Sequence, residues 1–341
     1  MSDAITVRRA SKSDVPAIIR FIREQWNPNH IFVIEPGFFE YMLCDGNDVN
    51  VIIAADSSGK IYGMEGVTFY NSSDRPDSTG MMWRCLKTEN IMLGIEIDQY
   101  MASFKNQRFH FGVGSNPETT LKITKKFYKH VTGKMDHFYR LRKKSDYRIA
   151  VIHHAEILPA AEKNVKLTEV TGADALEKIL PEEYLKEMTP YKDLIYLKKR
   201  YFDHPIYRYH VYGIEQPNRP VRSVLVMRVV EAEGSRAIKI VDFIGDNSDL
   251  LGIGAAVDER MEQFGAEYAD IYCTGLEDEL MKQAGFVRLK DDDSNIIPNY
   301  FEPFEQRNVD IYYTAPYMEN VRLFRGDADQ DRPNTAAAPR L

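Results

Sequence analysis

The sequence predicts an α/β protein made of two tandem domains, each a twisted mixed sheet flanked by helices. Three observations carry this. Short apolar or alternating runs of strand length recur between segments whose apolar residues step by three and four, so strands and helices alternate along the chain. The same order of helix, hairpin, strand, loop and helix, strand, helix, strand occurs twice, with slight identity between the two occurrences. The length of 341 residues accommodates two domains of ordinary size.

Composition narrows the function classes. An apolar content of 44% supports a full core, and the net charge of −7 comes without a basic stripe. Nucleic acid and anionic membrane surfaces are therefore disfavoured as partners. The three cysteines Cys44, Cys85 and Cys273 are far apart and show no metal-ligand spacing, so no metal is expected. No apolar run reaches about 18 residues and the first residues lack a signal core, which reads as a cytoplasmic protein without a membrane span.

The elements follow in order. Residues 5–9 alternate as a strand, and Ser11 to Asp14 offers caps for a helix carrying Val15, Ile18, Ile19 and Ile22 on one side. Trp26 to His30 breaks that helix. Residues 49–55 and 61–70 form a hairpin across the turn 56–60. Residues 71–80 read as a polar loop, 82–86 as a strand and 92–104 as a helix with Leu93, Ile97, Met101 and Phe104 in its apolar stripe. A strand at 109–113, a helix from about 117 to 130 with proline in its first turn, and a strand at 135–142 close a first domain at 1–155. The second domain, 166–320, repeats the order: a helix at 173–191, a hairpin of 209–214 and 222–230, and a strand at 237–244. The remainder, 321–341, is polar and rich in small residues, and is expected to be a flexible tail.

Residues 240–289 carry the clearest pattern. A strand runs into a turn at Gly245 to Ser248, then into Asp249-Leu250-Leu251-Gly252-Ile253-Gly254 and a helix with Val257, Met261 and Phe264 inside. A second strand, a short helix and the corner Gly285-Phe286 follow. The stretch resembles the core of the GNAT acyltransferases, which move an acyl group from acyl-coenzyme A to an amine. The family's loop reads Gln/Arg-x-x-Gly-x-Gly/Ala; this chain keeps both glycines and loses the Gln/Arg. The resemblance extends over about residues 5–315 as two GNAT-like domains, firmest at 240–289 and 108–139.

The resemblance implies acetyl-CoA or another short acyl-CoA as cosubstrate, with a helix N-terminus facing its pyrophosphate. Gly252 and Gly254 match that loop in the second half. In the first half the corresponding loop retains only Gly94, with Lys87 as a nearby charge. Asn116 matches the position that bonds the pantetheine arm, and Tyr128 the one that protonates the leaving thiolate. Each has a bland reading, as a helix cap and a packed aromatic. Glu89 and Asp242, at equivalent strand ends, are the candidate bases with Glu65 behind them; structural salt bridges are the alternative. Because Asp246 and Asp249 would repel a pyrophosphate, the first half is favoured for CoA and the second for the acceptor.

The run 196–209 is dense in aromatics and cations. It reads as an acceptor-binding surface with Arg200, Tyr201 and His204, joined by Tyr300, or as a domain interface. Its wording is similar to GNAT-like enzymes of bacterial polysaccharide pathways, which implies a small-molecule acceptor, a nucleotide-linked amino sugar. Two other readings stay open: a degenerate carbohydrate- or partner-binding module, and an aminoacyl or amino-acid transferase.

Overall fold

The computed structural model describes residues 4–144, 146–159, 164–327 and 331–334. They divide between Gly112 and Val113 into two compact units, with Pro333 and Asn334 belonging to the first.

The first unit opens with β1 (Thr6–Arg9), α1 (Val15–Gln25) and α2 (Pro36–Leu43). Strands β2 (Val51–Ala55), β3 (Ile61–Phe69) and β4 (Asp77–Cys85) follow, then α3 (Leu93–Ser103) and β5 (Phe109–Val113). The strand order is β1-β2-β3-β4-β5. The first three neighbours are antiparallel, and β4 and β5 are parallel. Tight turns suffice for the antiparallel pairs; the parallel pair needs a crossover, which α3 supplies. The β2–β3 turn is built by Asp56, whose carboxylate accepts the N–H groups of Ser58 (2.9 Å) and Lys60 (3.1 Å). Helix α3 lays Leu93, Ile97 and Met101 on Ile52, Ala54 and Val67.

The polar loop expected at 71–80 is corrected here. Strand β4 begins at Asp77 because its polar residues have interior partners. The buried Asp77 carboxylate takes the Arg108 guanidinium (Nε 2.7 Å), and Ser78 Oγ bonds His110 Nδ1 (2.8 Å).

The second unit begins with α4 (Thr120–Phe127), β6 (Val131–Lys134) and β7 (Asp136–Leu141). Next come β8 (Lys166–Glu169), α5 (Ala173–Ile179), α6 (Glu182–Lys186) and α7 (Leu194–Tyr201). Strands β9 (His210–Glu215), β10 (Val224–Ala232) and β11 (Ser235–Ile244) lead to α8 (Gly254–Phe264) and β12 (Ala266–Thr274). The unit finishes with α9 (Asp278–Gln283), β13 (Val287–Arg288), β14 (Tyr312–Ala315) and β15 (Leu323–Phe324). The sheet order is β8-β9-β10-β11-β12-β7-β13, with β15 on β12 and one parallel pair, β11 and β12. Helix α8 crosses over that pair and buries Ala256, Val257 and Met261 with Ile238, Ile240 and Ile271. The opposite face is covered through Tyr139, Val230, Tyr268 and Ile297.

The two sheets are therefore both mixed, both flanked by helices, and alike in strand order, as the repeated element order predicts. Strand β7 is the departure. The sequence reading made it the last strand of the first domain. It pairs instead with β12, Leu141 opposite Tyr268 and Asp136 opposite Cys273, and with β13 on its other side. The expected domain 1–155 thus straddles the division at residue 112.

The flexible tail expected from residue 321 is corrected as well. Leu323, Phe324, Arg325, Gly326, Asp327 and Asp331 are buried. The charges that made the segment look solvated are the reason: each finds a buried counter-charge, detailed next. Residues 328–330 and 335–341 of that expected tail lie outside the described residues. Among the described residues no helix is long and apolar enough to cross a membrane.

Candidate active site

Each sheet has a place where its parallel pair opens. In the first unit, β4 and β5 are in register at Asp77 with Phe109, Ser78 with His110 and Thr79 with Phe111. Beyond Thr79 the chain of β4 bulges. Met64 opposes Arg84 and Gly66 opposes Met81, so Glu65 faces the two-residue bulge Met82–Trp83, and Met82 takes a positive φ of 54°. A bulge at this point turns β4 away from β5 and leaves backbone groups at the carboxyl ends of a parallel pair, where ligands of open α/β sheets bind.

Glu65 lies at the bulge in the interior, 3% exposed, and its Oε2 makes no hydrogen bond. Burial, with Asp98 nearby adding like charge, pushes its carboxyl well above the usual carboxylate range. Its Oε1 would stand 2.9 Å from a Cβ on Gly80, and His110 Nε2 3.5 Å, so the glycine makes room for both. The sequence alone ranks Glu65 behind Glu89 and Asp242 as a base, with a solvated face as its ordinary reading. The signal against that reading was its position amid the apolar run of a central strand.

The other first-unit candidates are on the loop after β4 and the start of α3. Lys87 and Glu89 are exposed. Gly94 sits in the first turn of α3, with only Cys85 Cβ at 3.6 Å from the place of a side chain and no positive φ. Neither packing nor backbone conformation within its own chain requires a glycine there. Asn90 orders the approach to the helix, accepting the Met92 N–H (3.0 Å) and donating to both Glu96 oxygens (3.1 Å).

Two candidates follow β5. Asn116 is exposed, and its Oδ1 accepts the N–H groups of Glu118 (2.8 Å) and Thr119 (3.2 Å) ahead of α4. Its observed role is a side-chain turn ahead of the helix, whose own N-cap position is Thr119. Tyr128 ends α4, half-buried, with its ring 5.6 Å from that of His130. The helix runs 120–127 rather than 117–130, since the Asn116 turn occupies its expected first residues.

In the second unit the equivalent opening is filled. Strands β11 and β12 pair up to Ile240 with Ile271, and Val241 bulges between the pairs Met227–Ile240 and Val226–Asp242. Strand β15 occupies the place beyond, Phe324 opposite Cys273 and Leu323 opposite Thr274. A small pocket of about 20 Å³ remains between Leu185, Met188 and Pro190 on one side and Phe243, Arg322 and Phe324 on the other, with Lys192 at its wall. That is room for a single water.

Asp242, a candidate base from sequence, is corrected to a structural role. It is fully buried, and its Oδ2 takes Lys192 Nζ at 2.7 Å and Tyr201 OH at 2.6 Å. Lys192 also pairs with Asp327 at 2.9 Å. Burial alone would lower the lysine, but the two carboxylates hold it above its ordinary value. The expected acceptor surface at 196–209 is corrected in the same way. Arg200 and Tyr201 are 5% and 4% exposed, with Arg200 paired to Asp331 at 2.8 Å. His204 Nδ1 accepts the N–H groups of Ile206 (3.2 Å) and Tyr207 (2.9 Å), and burial lowers its pKa to about 3, so it is a neutral turn anchor. Tyr300 is half-buried beneath the Arg307 guanidinium, 5.7 Å away.

Sequence reasoning missed the second half of this interior network. Asp270 is the hub. It accepts from His137 Nε2 (2.8 Å) and Arg325 (2.9 Å) and pairs with Lys239 (3.0 Å). Burial alone would raise its pKa; Arg325, Lys239 and His137 hold it below the ordinary range. Burial lowers Lys239 to about 7 and His137 to about 4. Buried charges of this kind must be paired to be tolerated.

The glycines of the second-half loop answer to their own chain. Gly252 takes a φ of +81°, and a Cβ on Gly254 would meet the Arg140 guanidinium at 3.1 Å and the Ala284 carbonyl oxygen at 3.3 Å. Asp249 is taken up by Ser223 Oγ (2.5 Å), and Asp246 caps the Ser248 N–H (2.7 Å). Among the described residues no group of His, Cys, Asp and Glu is arranged to hold a metal ion.

No family model matches the chain, and no curated protein matches it. Solved structures do. The chain is similar to a GCN5-related N-acetyltransferase from Anabaena variabilis, with a TM-score of 0.54 and 10% identity, over 92% of this chain and 72% of that one. It is also similar to the GCN5-related glucosamine N-acetyltransferase region of a fungal multi-domain beta-N-acetylglucosaminidase, with a TM-score of 0.53 and 10% identity over 92% of this chain. The match spans only 38% of that fungal chain. At these identities the likeness is one of fold: the chain carries the fold of the GCN5-related N-acetyltransferases.

Proposed function

We propose that the protein is an acyl-CoA-dependent N-acyltransferase, most simply an N-acetyltransferase, acting on the amine of an amino sugar that is nucleotide-linked. The observation that carries this is the open end of the parallel pair β4 and β5 in a sheet of acetyltransferase fold. The glucosamine activity named for the fungal relative supports the amino-sugar class.

Two features of the first half support a cosubstrate site there. Lys87 is an exposed cation on the loop before α3, and Gly94 opens that helix with no side chain over its first turn. The N–H groups of Leu93 and Ile95 in that turn are taken up by the Asn90 (3.2 Å) and Met92 (2.8 Å) carbonyls, so what the eleven-residue helix offers an anion is the positive end of its dipole. Acyl-CoA supplies the acyl group already activated as a thioester. Backbone N–H groups of β4 beyond Thr79 are the proposed donors to the carbonyl oxygen as it gains charge, the term that commonly dominates acyl transfer. Glu89 is the proposed base that takes a proton from the acceptor's ammonium. Tyr128 is the proposed acid, giving its phenolic proton to the departing sulfur. The amine nitrogen bonds to the acyl carbon as the carbon–sulfur bond breaks, so no covalent intermediate on the protein is needed.

The test is acceptor-dependent release of free thiol from acetyl-CoA, measured across a panel of free and nucleotide-linked amino sugars. Release with an amine acceptor, and none with its N-acetylated counterpart, is expected. Absence of release with every acceptor and of CoA binding by calorimetry would overturn the proposal. Tyr128→Phe should lower turnover at least tenfold while changing CoA affinity less than threefold, in keeping with loss of a general acid worth roughly 10²–10⁴ at most. Unchanged turnover removes Tyr128 from the reaction.

A further inference from the structure

The second half repeats the first down to its bulge, yet the opening in its sheet is closed by the chain itself. If a ligand's phosphates face the helix that follows the first strand of a parallel pair, and its arm passes the residues after the second strand, the arm runs between the two carboxyl ends. In the second unit this is the space past Ile240 and Ile271. Residues 321–327 lie in it. Leu323 and Phe324 hydrogen-bond to the free edge of β12 as a strand, using backbone groups that an extended arm would need. Gly326 comes against the bulge of β11, where a Cβ would stand 2.7 Å from the Val241 carbonyl oxygen. Gly275, with a φ of +86°, has the Val321 carbonyl where its own side chain would be.

The segment is also fastened from both sides. Arg325 reaches inward to Asp270 on β12 (2.9 Å) and lies over the Tyr272 ring, 4.9 Å away. Asp327 receives Lys192 (2.9 Å) and accepts the Phe324 N–H (2.9 Å). Opening this cleft would strip several buried charges of their partners.

We infer that residues 321–327 are a built-in occupant of the second sheet's ligand cleft, so that the chain binds one acyl-CoA, in its first half, although it carries the fold twice. The glycines agree with this division. Gly252 and Gly254 are accounted for by turn geometry and by packing on Arg140, whereas nothing in the chain requires Gly94 to lack a side chain. This inference rests on the acyltransferase reading and specifies its stoichiometry and location.

The experiment is calorimetric titration of the full chain with CoA and with acetyl-CoA, paired with hydrogen exchange read by mass spectrometry. One molecule bound per chain is expected, with protection gained around residues 87–96 and unchanged protection at 321–327. Two molecules per chain would overturn the inference and leave the acyltransferase reading standing. So would a single molecule that gains protection at 245–256 or exposes 321–327, because the segment would then be a displaceable lid. No binding of either compound would remove both. The variant Lys87→Glu separates the halves again: it should weaken CoA binding at least tenfold, and retention of full affinity would count against a first-half site.

Discussion

Arg200 and Asp331 stand 131 residues apart in the chain and 2.8 Å apart in the fold, both buried. Asp331 also takes Arg228 (3.0 Å) and the Tyr209 hydroxyl (2.9 Å). Asp331→Ala would leave two interior guanidinium groups without their carboxylate. A loss of about 3–5 kcal/mol in urea unfolding is expected. Asp331→Asn should lose nearly as much, since it restores hydrogen bonds but no charge.

Gly326→Ala places a methyl group 2.7 Å from both the Val241 carbonyl oxygen and the Tyr201 hydroxyl. One neighbour is backbone and the other is held by Asp242 at 2.6 Å, so a cost of about 1–3 kcal/mol is expected. Gly37→Ala is the control. It lies in α2 with nothing within 4 Å, and should change stability by less than about 1 kcal/mol, toward stabilisation. Equal melting shifts for the two variants would contradict the close contact.

His137 links pH to stability. Burial lowers its pKa from 6.5 to about 4 in the folded chain. Between those values the unfolded chain binds a proton that the folded chain does not, so stability falls as pH drops from 6.5 toward 4. His30, lowered by burial to about 4, acts in the same direction. His137→Gln keeps a neutral donor toward Asp270 and removes one titrating group. Its unfolding free energy should depend less on pH across that window, by up to a few kcal/mol in total. Parallel slopes for wild type and variant would exclude His137 as a contributor.

Glu65 works with the opposite sign. Its folded pKa is raised by burial and by Asp98, so its contribution is fully present below about pH 4.5 and is lost as pH rises through the folded value. Glu65→Gln mimics the protonated form. The variant should gain on wild type as pH is raised from 5 to 9, a comparison that melting curves provide. A variant that falls further behind at high pH would mean that the carboxylate form is the one stabilised.

Asn116→Ala removes the acceptor for two N–H groups ahead of α4 and should cost about 1 kcal/mol. Asn116→Asp keeps the acceptor and should recover most of that. If Asn116→Asp restores stability but leaves CoA binding weakened, the residue has a ligand role beyond that turn.

The strands and helices that were legible share one property: their burial follows their own hydrophobic pattern. Strand β5 was placed at 109–113 in full, and α1 and α3 to within a residue or two, because apolar residues recur at helix or strand spacing. What escaped was burial arranged between residues far apart. The run Asp77-Ser78-Thr79-Gly80 looks like a loop until Arg108 and His110 arrive beside it. Arg200, Tyr201 and the charges after residue 321 look like surface until they are paired with one another. Sequence spacing carries no record of such partners, since Asp77 and Arg108 are 31 positions apart and Arg200 and Asp331 are 131 apart. The candidate site divides along the same line. Lys87, Glu89 and Gly94 sit on the loop and helix start where the pattern put them. Asp242 does not keep its assigned role, because a carboxylate at a strand end looks the same in sequence whether it faces a cleft or a buried lysine.

The placement of β7 bears on how this chain is made. Its two neighbours in the sheet, β12 and β13, begin at Ala266 and Val287. At ribosomal rates of about 5–20 residues per second, β7 leaves the tunnel roughly 6–25 seconds before its first partner. For that interval a strand with Phe138, Tyr139 and Leu141 has neither edge covered. Synthesis of the first half alone would leave that strand permanently unpaired. The nascent chain should therefore be a customer for holding chaperones until its last third is out, and a fragment ending at residue 155 should be prone to self-association rather than an independent domain.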